Sequence, residues 1–355
     1  MKESSKIDWM SQLILAIESS CDETAAAIIE DSRKVLSNIV ASQIDIHKEY
    51  GGVVPEIASR KHVELILPVI DKAIKEAGIE KEDIDAVAVT NGPGLIGALM
   101  VGLSTAKAVA FGLNVPLIAV NHLEAHMSAV HLENEVEFPF VGLVVSGGHT
   151  SLYLVKNYRE FELLGKTRDD AAGEAFDKAA KILGLPYPGG VEIDRLAKEG
   201  DRQAISFPRP FMKTPTLDFS FSGVKTSMVY YLRKHPNPED NTLRDICASY
   251  QEAIVETLVD KTLIAAKQSE VKSVVIAGGV ACNSRLRELS RERFEQEGIY
   301  IYIPSPEYCT DNAAMIGSLG GFMFKNGVTS KLNITPFSTS RPKYERGRGG
   351  KVKNA

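Results

Sequence analysis

The sequence contains little cysteine, a single tryptophan and no excess of positive charge. Its 355 residues include four Cys, and 41 Lys+Arg stand against 46 Asp+Glu, a formal net charge of −5. Cys21, Cys247, Cys282 and Cys309 form no Cys-x-x-Cys pair, which excludes a zinc-knuckle or small disulfide framework and favours a reducing compartment. The acidic balance excludes a protein that coats nucleic acid non-specifically, so any nucleic-acid contact must be local.

No segment has the pattern of a secretory signal or a membrane span. Residues 1–12 carry mixed charges and no apolar core. The longest apolar stretch, Gly97 to Val120, is interrupted by Lys107, Asn114 and Pro116, and is predicted to be a buried helix with the strand that follows it. We therefore expect a cytoplasmic protein that makes no membrane contact.

Alternating strand and helix patterns predict an α/β fold. The apolar runs Leu13–Ile17 and Ala25–Ile29 flank a polar turn, and Val141–Val145 and Ser151–Val155 flank a second one. Each pair is predicted to be a β-hairpin buried on both faces. Their repetition favours two lobes of related design, although any two antiparallel hairpins share this pattern. Residues 205–223, rich in Pro, Phe, Ser and Thr, are predicted to be an irregular insertion.

The string His122-Leu-Glu-Ala-His126 is a candidate metal site. On a helix, residues i and i+4 lie on one face, so both imidazoles can reach one ion. A third ligand must come from elsewhere, and Asp311 is the best candidate; its alternative role is to cap the helix that follows. The position of Glu124 differs from that in the His-Glu-x-x-His zinc proteases, which argues against proteolysis.

Glycine-rich turns at Ser146–Thr150, Gly189-Gly190 and Gly278-Gly279 indicate anion binding, because glycine lets backbone amides approach a phosphate closely. Three such turns in one half of the chain suit a nucleotide held in a cleft. Asp177 and Asp194 are candidates to accept hydrogen bonds from hydroxyl groups of the ligand.

The C-terminal segment, residues 341–355, contains six basic residues and one acidic residue, which leaves a net charge of −10 on residues 1–340. Its Gly and Lys/Arg content predicts disorder. A solvated tail is the plainer interpretation, and an RNA-binding arm is the alternative.

Nine motifs, in order from about residue 13 to 333, resemble the TsaD/Kae family of tRNA threonylcarbamoyladenosine biosynthesis proteins. They are IESSCDET (17–24), NGPGLIGAL (91–99), NHLEAH (121–126), VVSGGHT (144–150), DDAAGEAFDKAAK (169–181), YPGG (187–190), FSFSGVKT (219–226), GGVACNSRLR (278–287) and TDNAAMI (310–316). Val145 and His149 in VVSGGHT resemble the bacterial or organellar members.

The resemblance implies the two-lobed fold of the actin, hsp70 and acetate-kinase superfamily, with a nucleotide cleft between the lobes. Residues 12–134 plus 311–333 would form the first lobe and residues 135–310 the second. The implied reaction transfers the threonylcarbamoyl group from threonylcarbamoyl-AMP to N6 of the adenosine at tRNA position 37, in tRNAs that read codons beginning with adenine.

The resemblance also assigns roles to residues. His122, His126 and Asp311 would bind one divalent ion, Fe(2+) in preference to Zn(2+). Asp22 and Glu23 would orient the attacking amine or a water. The substrate would be bound by Val145, Ser146, Gly147, Gly148 and His149 around its phosphate or carbamoyl group, and by Asp177, Gly190, Asp194 and Asn283 around its nucleotide.

The implied partners are tRNA, a catalytically inactive TsaB-like paralogue and a small TsaE-like P-loop ATPase. Since tRNA is polyanionic, basic side chains should surround the cleft; the candidates are Arg60, Lys61, Lys166, Arg168, Lys225, Arg285 and Arg287. The alternatives are an ATPase or kinase of the same fold, a non-catalytic scaffold and, with least support, a metalloprotease. The intact His122, His126 and Asp311 favour the enzyme.

Overall fold

The structure is a computed structural model that describes residues 11–212 and 214–338. These residues form two five-stranded mixed sheets, with helices packed against both. The basic segment 341–355, predicted to be disordered, lies outside the described residues.

The first sheet has the strand order β3-β2-β1-β4-β5. Its strands are β1 (Leu13–Glu18), β2 (Glu23–Glu30), β3 (Lys34–Ser42), β4 (Ala86–Gly92) and β5 (Leu117–Asn121). β1 pairs antiparallel with β2, with Ile14 opposite Ile29, and parallel with β4, with Leu15 beside Val87. The first predicted hairpin is therefore present and occupies the centre of this sheet.

The second sheet repeats that plan with the order β10-β9-β6-β7-β8. Its strands are β6 (Phe140–Val145), β7 (Thr150–Asn157), β8 (Glu160–Lys166), β9 (Ser273–Ala277) and β10 (Tyr300–Tyr302). β6 pairs antiparallel with β7 and parallel with β9, as β1 pairs with β2 and β4. The repetition suggested by the two hairpins thus extends to whole sheets.

Eleven α-helices and three short 3-10 helices (residues 81–83, 129–132 and 279–282) connect the strands within the described residues. The α-helices are α1 (Ile44–Lys48), α2 (Pro55–Ala77), α3 (Ile96–Leu113), α4 (His122–Ser128), α5 (Ala172–Ile182), α6 (Gly189–Ala197), α7 (Ser222–Lys234), α8 (Asp240–Gln268), α9 (Ser284–Gln296), α10 (Pro306–Cys309) and α11 (Ala313–Lys325). After the second sheet the chain returns to the first, because α11 packs on the first sheet.

Both hairpins are buried on both faces, as the continuous apolar runs predicted. In β1, Ile14 and Ala16 face one core cluster of the first sheet, whereas Leu15 and Ile17 face another. Alternation of side chains along a strand sends successive residues to opposite faces, so a strand covered on both sides must be apolar throughout.

α4 lies between the two sheets, and this position determines the site. Ala125 and Ala129 belong to a core cluster of the first sheet, while Leu123 and Met127 pack with Phe140 of the second. Two of the faces of α4 are thereby used for packing, which leaves its remaining face to carry His122 and His126.

The irregular segment is shorter than predicted, because α7 begins at Ser222. The predicted glycine turn at Gly189-Gly190 forms the first turn of α6, which begins at Gly189. Within the described residues, α3 is the one helix long and apolar enough to cross a membrane. Its Gly102 lies against Ser19, whose hydroxyl donates to the Ala98 carbonyl at 3.0 Å, so α3 packs on the end of β1.

Candidate functional site

Three side chains from distant parts of the chain meet between the sheets. His126 Nε2 is 3.1 Å and His122 Nε2 is 3.6 Å from the same oxygen, Asp311 Oδ1. The two imidazole rings lie edge to face with their centroids 4.6 Å apart. Both histidines are buried and Asp311 is largely buried. The structure therefore brings together the three residues proposed as metal ligands.

The start of α4 is fixed by Asn121. Its side-chain oxygen accepts hydrogen bonds from Leu123 N at 2.9 Å and Glu124 N at 3.3 Å, a capping arrangement that satisfies two of the free amides of the first turn. β5, the edge strand beside β4, runs directly into this helix, so His122 is held at the end of that strand.

Asp311 does not cap a helix, which was the alternative role considered for it. The neighbouring Asn312 caps α11, because its side-chain oxygen accepts a hydrogen bond from Met315 N at 3.0 Å. The Asp311 carboxylate is thus free to face the histidines.

The two histidines differ in proton affinity. Burial lowers the pKa of His122, but the Asp311 and Glu18 carboxylates outweigh it and raise that pKa to about 9. For His126 burial dominates and the pKa is lowered. Asp311 is buried too, yet the imidazoles hold the pKa of its carboxyl well below its ordinary value. The Asp311 and Glu18 carboxylates therefore favour a positive charge at this position, here a proton on His122.

The cluster fits a metal ion. The ligand atoms of a tetrahedral ion with bonds of about 2.0–2.1 Å are about 3.3 Å apart, which is close to the spacing of Asp311 Oδ1 from each Nε2. All three candidate ligand atoms lie within 4.8 Å of one another. Two imidazoles and one carboxylate leave coordination positions open for a substrate.

Asp22 and Glu23 occupy the β1–β2 turn. Burial raises the pKa of Asp22, and raises that of Glu23 to about 8 with help from the negative charges of Asp22 and Asp311. Glu23 Oε1 accepts a hydrogen bond from Ser42 Oγ at 2.9 Å, whereas its buried Oε2 has no partner among the described residues. Such a carboxyl group holds a proton at neutral pH and is suited to acid–base work.

The second sheet contributes a turn at the end of β6. Ser146 N donates to the His149 carbonyl at 2.8 Å, which closes the turn, and Gly147 and Gly148 are exposed with open space where a Cβ would project. Burial and the nearby His122 and His126 lower the pKa of His149 to about 4. This neutral imidazole therefore belongs to the same region as the candidate metal ligands.

Asp177 and Tyr187 face the β1–β2 turn from the second sheet's side. Asp177 Oδ1 accepts a hydrogen bond from Gly189 N at 2.8 Å, and Gly190 N also bonds to this carboxylate, so Asp177 holds the start of α6. Burial, followed by the negative charges of Asp22 and Asp177, raises the pKa of Tyr187.

Asp194 and Asn283 are committed to contacts within the protein. Asp194 Oδ1 accepts a hydrogen bond from Ser284 Oγ at 2.7 Å, and Asn283 caps α9 while its amide donates to Gln251 Oε1 at 2.7 Å. Val145 is fully buried, and its carbonyl lies against Gly278, where a Cβ would approach to 2.4 Å. These contacts fix α6, α9 and the turn at Gly278; ligand binding by Val145, Asp194 and Asn283 stays a prediction.

Five of the seven basic residues considered for tRNA contact, Lys61 with Glu64 among them, have partners within the protein. Arg285 is 10% exposed and pairs with Glu252 at 2.7 Å, and Arg287 donates to the carbonyls of Ala281 and Pro304 at 2.7 Å. Their guanidinium groups tie α9 to its neighbours; the expectation that they line the cleft stays a prediction. Lys225 and Arg168 also form ion pairs, with Asp170 and Asp218.

Sequence reasoning missed Glu18 and Tyr187. Glu18 stands at the end of an apolar strand, and its carboxylate lies 3.0 Å from His122 Nδ1. A charged residue inside an apolar run was the available signal for it, because such residues are buried only with partners. For Tyr187, the sequence offered no indication of a place in the site other than its position before Pro188 and two glycines.

Comparison with known proteins gives one consistent family. A family model described as TsaD, tRNA N6-adenosine threonylcarbamoyltransferase, matches residues 34–318. A relative of that name from Geotalea uraniireducens (strain Rf4) is 58% identical over 323 residues, which cover 91% of this chain and 94% of the relative. Another from Syntrophus aciditrophicus (strain SB) is 57% identical over 328 residues, covering 92% and 96%.

Solved structures share the fold at low identity. Full-length HypF in its phosphate- and nucleotide-bound form matches with a TM-score of 0.61 at 14% identity, covering 89% of this chain and 46% of HypF. Component A of the (R)-2-hydroxyglutaryl-CoA dehydratase of Acidaminococcus fermentans matches with a TM-score of 0.51 at 18% identity, covering 89% and 97%. The predicted two-lobed α/β fold is confirmed.

Proposed function

The chain belongs to the TsaD family of tRNA N6-adenosine threonylcarbamoyltransferases, and on that premise we propose how its site works. The protein is an acyltransferase that forms N6-threonylcarbamoyladenosine in tRNA. Its donor is threonylcarbamoyl-AMP, and its acceptor is N6 of the adenosine at position 37 in tRNAs that read codons beginning with adenine. The observation that carries the site assignment is the meeting of His122, His126 and Asp311 beside the Asp22–Glu23 turn.

A divalent metal ion would be held by His122 Nε2, His126 Nε2 and Asp311 Oδ1. Two histidines and one carboxylate are the ligand set typical of non-haem Fe(2+), so we propose Fe(2+) in preference to Zn(2+). When bound, such an ion supplies Lewis-acid polarisation of an oxygen of the substrate.

The glycine turns would hold the donor. The exposed backbone at Gly147 and Gly148 would face its phosphate or carbamoyl group, and His149, being neutral, would add a hydrogen bond. Gly190, at the start of α6, and Asp177 would contact the nucleotide. Asp194 and Asn283 would act by fixing α6 and α9 around it.

The transfer forms a bond between adenosine N6 and the carbamoyl carbon and breaks the bond from that carbon to the phosphate oxygen of AMP. The amine must lose a proton as it attacks. We propose Glu23 as the base that takes this proton, with Asp22 orienting the amine. The unpartnered Glu23 Oε2 supports this role, because a base needs an oxygen that the protein leaves unbound.

A direct assay tests the function. The purified protein is incubated with unmodified tRNA and threonylcarbamoyl-AMP, with and without the TsaB-like and TsaE-like proteins, and the digested nucleosides are measured by mass spectrometry. Product from the protein alone would identify a self-sufficient enzyme, and product only with partners would identify a subunit of a complex. No product in either case, with metal bound, would favour the ATPase, kinase or scaffold alternatives.

An apolar face on α2 and α3 supports a protein partner. Val63 and Leu67 on α2 are 65% and 63% exposed, and Ile96 and Met100 on α3 are 42% and 53% exposed. The two helices pack side by side, with Gly97 against Ser59, so these four side chains flank one seam. Exposed apolar patches of this kind mark protein interfaces, and we propose the TsaB-like paralogue as the occupant.

Replacing Val63 and Leu67 by glutamate is expected to weaken binding of the TsaB-like paralogue by at least about 100-fold, because two charges would be buried in an apolar contact. Isothermal titration calorimetry measures the change. Val191→Glu is the matched control, since Val191 is equally exposed at 63% but lies on α6. Equal binding by the double variant and the control would contradict this interface.

The basic segment 341–355 is proposed to bind tRNA phosphates. The chain approaches the site before this segment: Phe337 N donates to the Asn91 carbonyl at 3.0 Å. The same turn contains Gly94, which lies against Ser20, and Ser20 Oγ is 3.2 Å from His122 Nδ1. The segment carries a net charge of +5 on an otherwise acidic protein, so it would attract a polyanion locally.

Deleting residues 341–355 is expected to weaken tRNA binding and to flatten its salt dependence. The slope of log K against log salt should fall by roughly 0.7–0.9 for each phosphate that the protein no longer neutralises. Filter binding at several salt concentrations measures both the affinity and the slope. A variant with the six Lys and Arg of the segment changed to Ser keeps its length and should behave like the deletion. An unchanged slope of log K against log salt in both variants would contradict this role and would show that the rest of the protein binds the tRNA phosphates.

A further inference from the structure

We propose that Glu18 is a positioning residue of this site, whose buried carboxylate holds His122 so that Nε2 faces the metal position. This inference rests on the metal site proposed above, and it assigns a role to a residue outside the ligand set.

Glu18 is bound by donors from three elements. Its side chain is fully buried at the end of β1. Oε1 accepts a hydrogen bond from Ser20 N, and Oε2 accepts one from Thr90 Oγ1 of β4 at 2.6 Å. Oε2 also lies 3.0 Å from His122 Nδ1 of α4. Burying a carboxylate is costly unless it is paired and hydrogen-bonded, so this network is a fixed and specific arrangement.

The contact determines which nitrogen of His122 is available. An ionised carboxylate only accepts, so His122 Nδ1 must carry the proton in this pair. Nε2 is then the nitrogen directed toward Asp311 Oδ1, at 3.6 Å. Histidines that bind metals are commonly oriented in this way by a carboxylate on the other ring nitrogen.

The two histidines are held unequally. His126 Nδ1 is buried and has no hydrogen-bond partner among the described residues. His122 therefore has a hydrogen-bonded anion behind its ring, at Nδ1, whereas His126 contacts Asp311 through Nε2 and has no such anion at Nδ1 among the described residues. We infer that the orientation of the site depends on Glu18 more than on any group behind His126.

Charge gives Glu18 a second effect. Glu18 Oε2 and Asp311 Oδ1 face the two ring nitrogens of His122, at 3.0 and 3.6 Å. With a divalent ion bound between the histidines and Asp311, the two carboxylates would balance its two positive charges. Removal of the Glu18 charge would leave a surplus positive charge in a buried site, and this disfavours the divalent ion.

Metal affinity tests this role without reference to activity. Zn(2+) dissociation constants are measured on the full chain by chelator competition for the wild type, Glu18→Ala and Glu18→Gln. Glu18→Ala loses both orientation and charge and should bind about 10- to 100-fold more weakly. Glu18→Gln keeps an oxygen for His122 Nδ1 but no charge, so its loss of affinity should be smaller.

Glu30→Gln is the matched control, because Glu30 ends the partner strand β2 and bonds Lys34 at the surface; its affinity should equal that of the wild type. X-ray absorption of the zinc-loaded variants adds a readout that a merely structural role would not change. Glu18→Ala should show weaker histidine scattering than the wild type.

The two hypotheses fail differently. If the wild type itself binds no divalent ion, the proposed metal site and this inference are both wrong. If the wild type binds zinc and the folded Glu18→Gln and Glu18→Ala variants match it in affinity and histidine scattering, the site stands and the role of Glu18 is overturned. Should Glu18→Ala fail to fold, Glu18→Met, which is close in size and offers His122 Nδ1 no oxygen, decides by its affinity and histidine scattering.

Discussion

Replacing Asp311 or His126 by alanine is expected to remove bound divalent metal and to lower threonylcarbamoyladenosine formation by about 10³-fold, equivalent to about 4 kcal/mol of activation free energy. Each variant deletes one of three convergent ligand atoms, and Asp311 Oδ1 is the atom that both Nε2 nitrogens face. Two remaining ligands hold a divalent ion weakly. Metal content is measured by elemental mass spectrometry and product by nucleoside mass spectrometry on the same preparations.

His235→Ala is the control for loss of a histidine, because His235 is exposed at the end of α7. It should retain both metal and activity. Asp311→Ala also removes a negative charge that faces His122, so folding must be checked by circular dichroism before activity is compared. A metal-free His126→Ala variant that still forms product at the wild-type rate would contradict the Lewis-acid role.

The central strands and the ligand pair were predictable because they carry local signals. β1 is apolar as far as Ile17 and β6 is apolar throughout, and polar or glycine turns follow them, so the burial of these apolar runs follows from composition. The spacing of His122 and His126 is a property of a single helix turn. Asp311 could be proposed only as a candidate ligand. Its contact with the histidines depends on the packing of α11 against the first sheet, which the spacing of residues along the chain does not predict.

The edge strands and the residues behind the site were not predictable in the same way. β3 and β8 are partly exposed and interrupted by polar residues, and their pairing comes from the neighbouring strands more than from their own pattern. The partner of Glu18 is 104 residues away. Burial and then the negative charge of Asp22 raise the pKa of Tyr187, and this influence of Asp22 exists only once both sheets are in place.

Glu23→Gln is expected to lower the rate by about 10²- to 10⁴-fold, the usual contribution of a general base, and to remove one limb of the pH profile. Glu23 acts in its deprotonated form, so the wild-type rate should rise with pH through the pKa of this carboxyl group and level off above it. That pKa is raised to about 8, first by burial and then by the negative charges of Asp22 and Asp311.

A cation bound at Asp311 would offset part of that effect. For the metal-loaded enzyme, the midpoint of the rising part of the pH–rate profile is therefore expected below pH 8 but above 4.5, the ordinary pKa of a glutamate carboxyl group. Ser42→Ala is a matched variant, because Ser42 Oγ donates to Glu23 Oε1 at 2.9 Å and favours the charged form. It should move the limb to higher pH and leave the plateau rate nearly unchanged.

Stability separates this loss of activity from unfolding. The folded pKa of Glu23 lies above its ordinary value, so between about pH 4.5 and 8 the folded state binds more protons than the unfolded state. The stability contributed by Glu23 is therefore fully present at low pH and is lost as pH rises through this window. Gln does not ionise, so Glu23→Gln removes this pH-dependent loss of folding stability. At pH 8 the variant should therefore unfold no more easily than the wild type, although its rate of product formation is greatly reduced. A variant that keeps the wild-type limb and rate would require the proton to leave N6 through another group, and Asp22 is the nearest candidate.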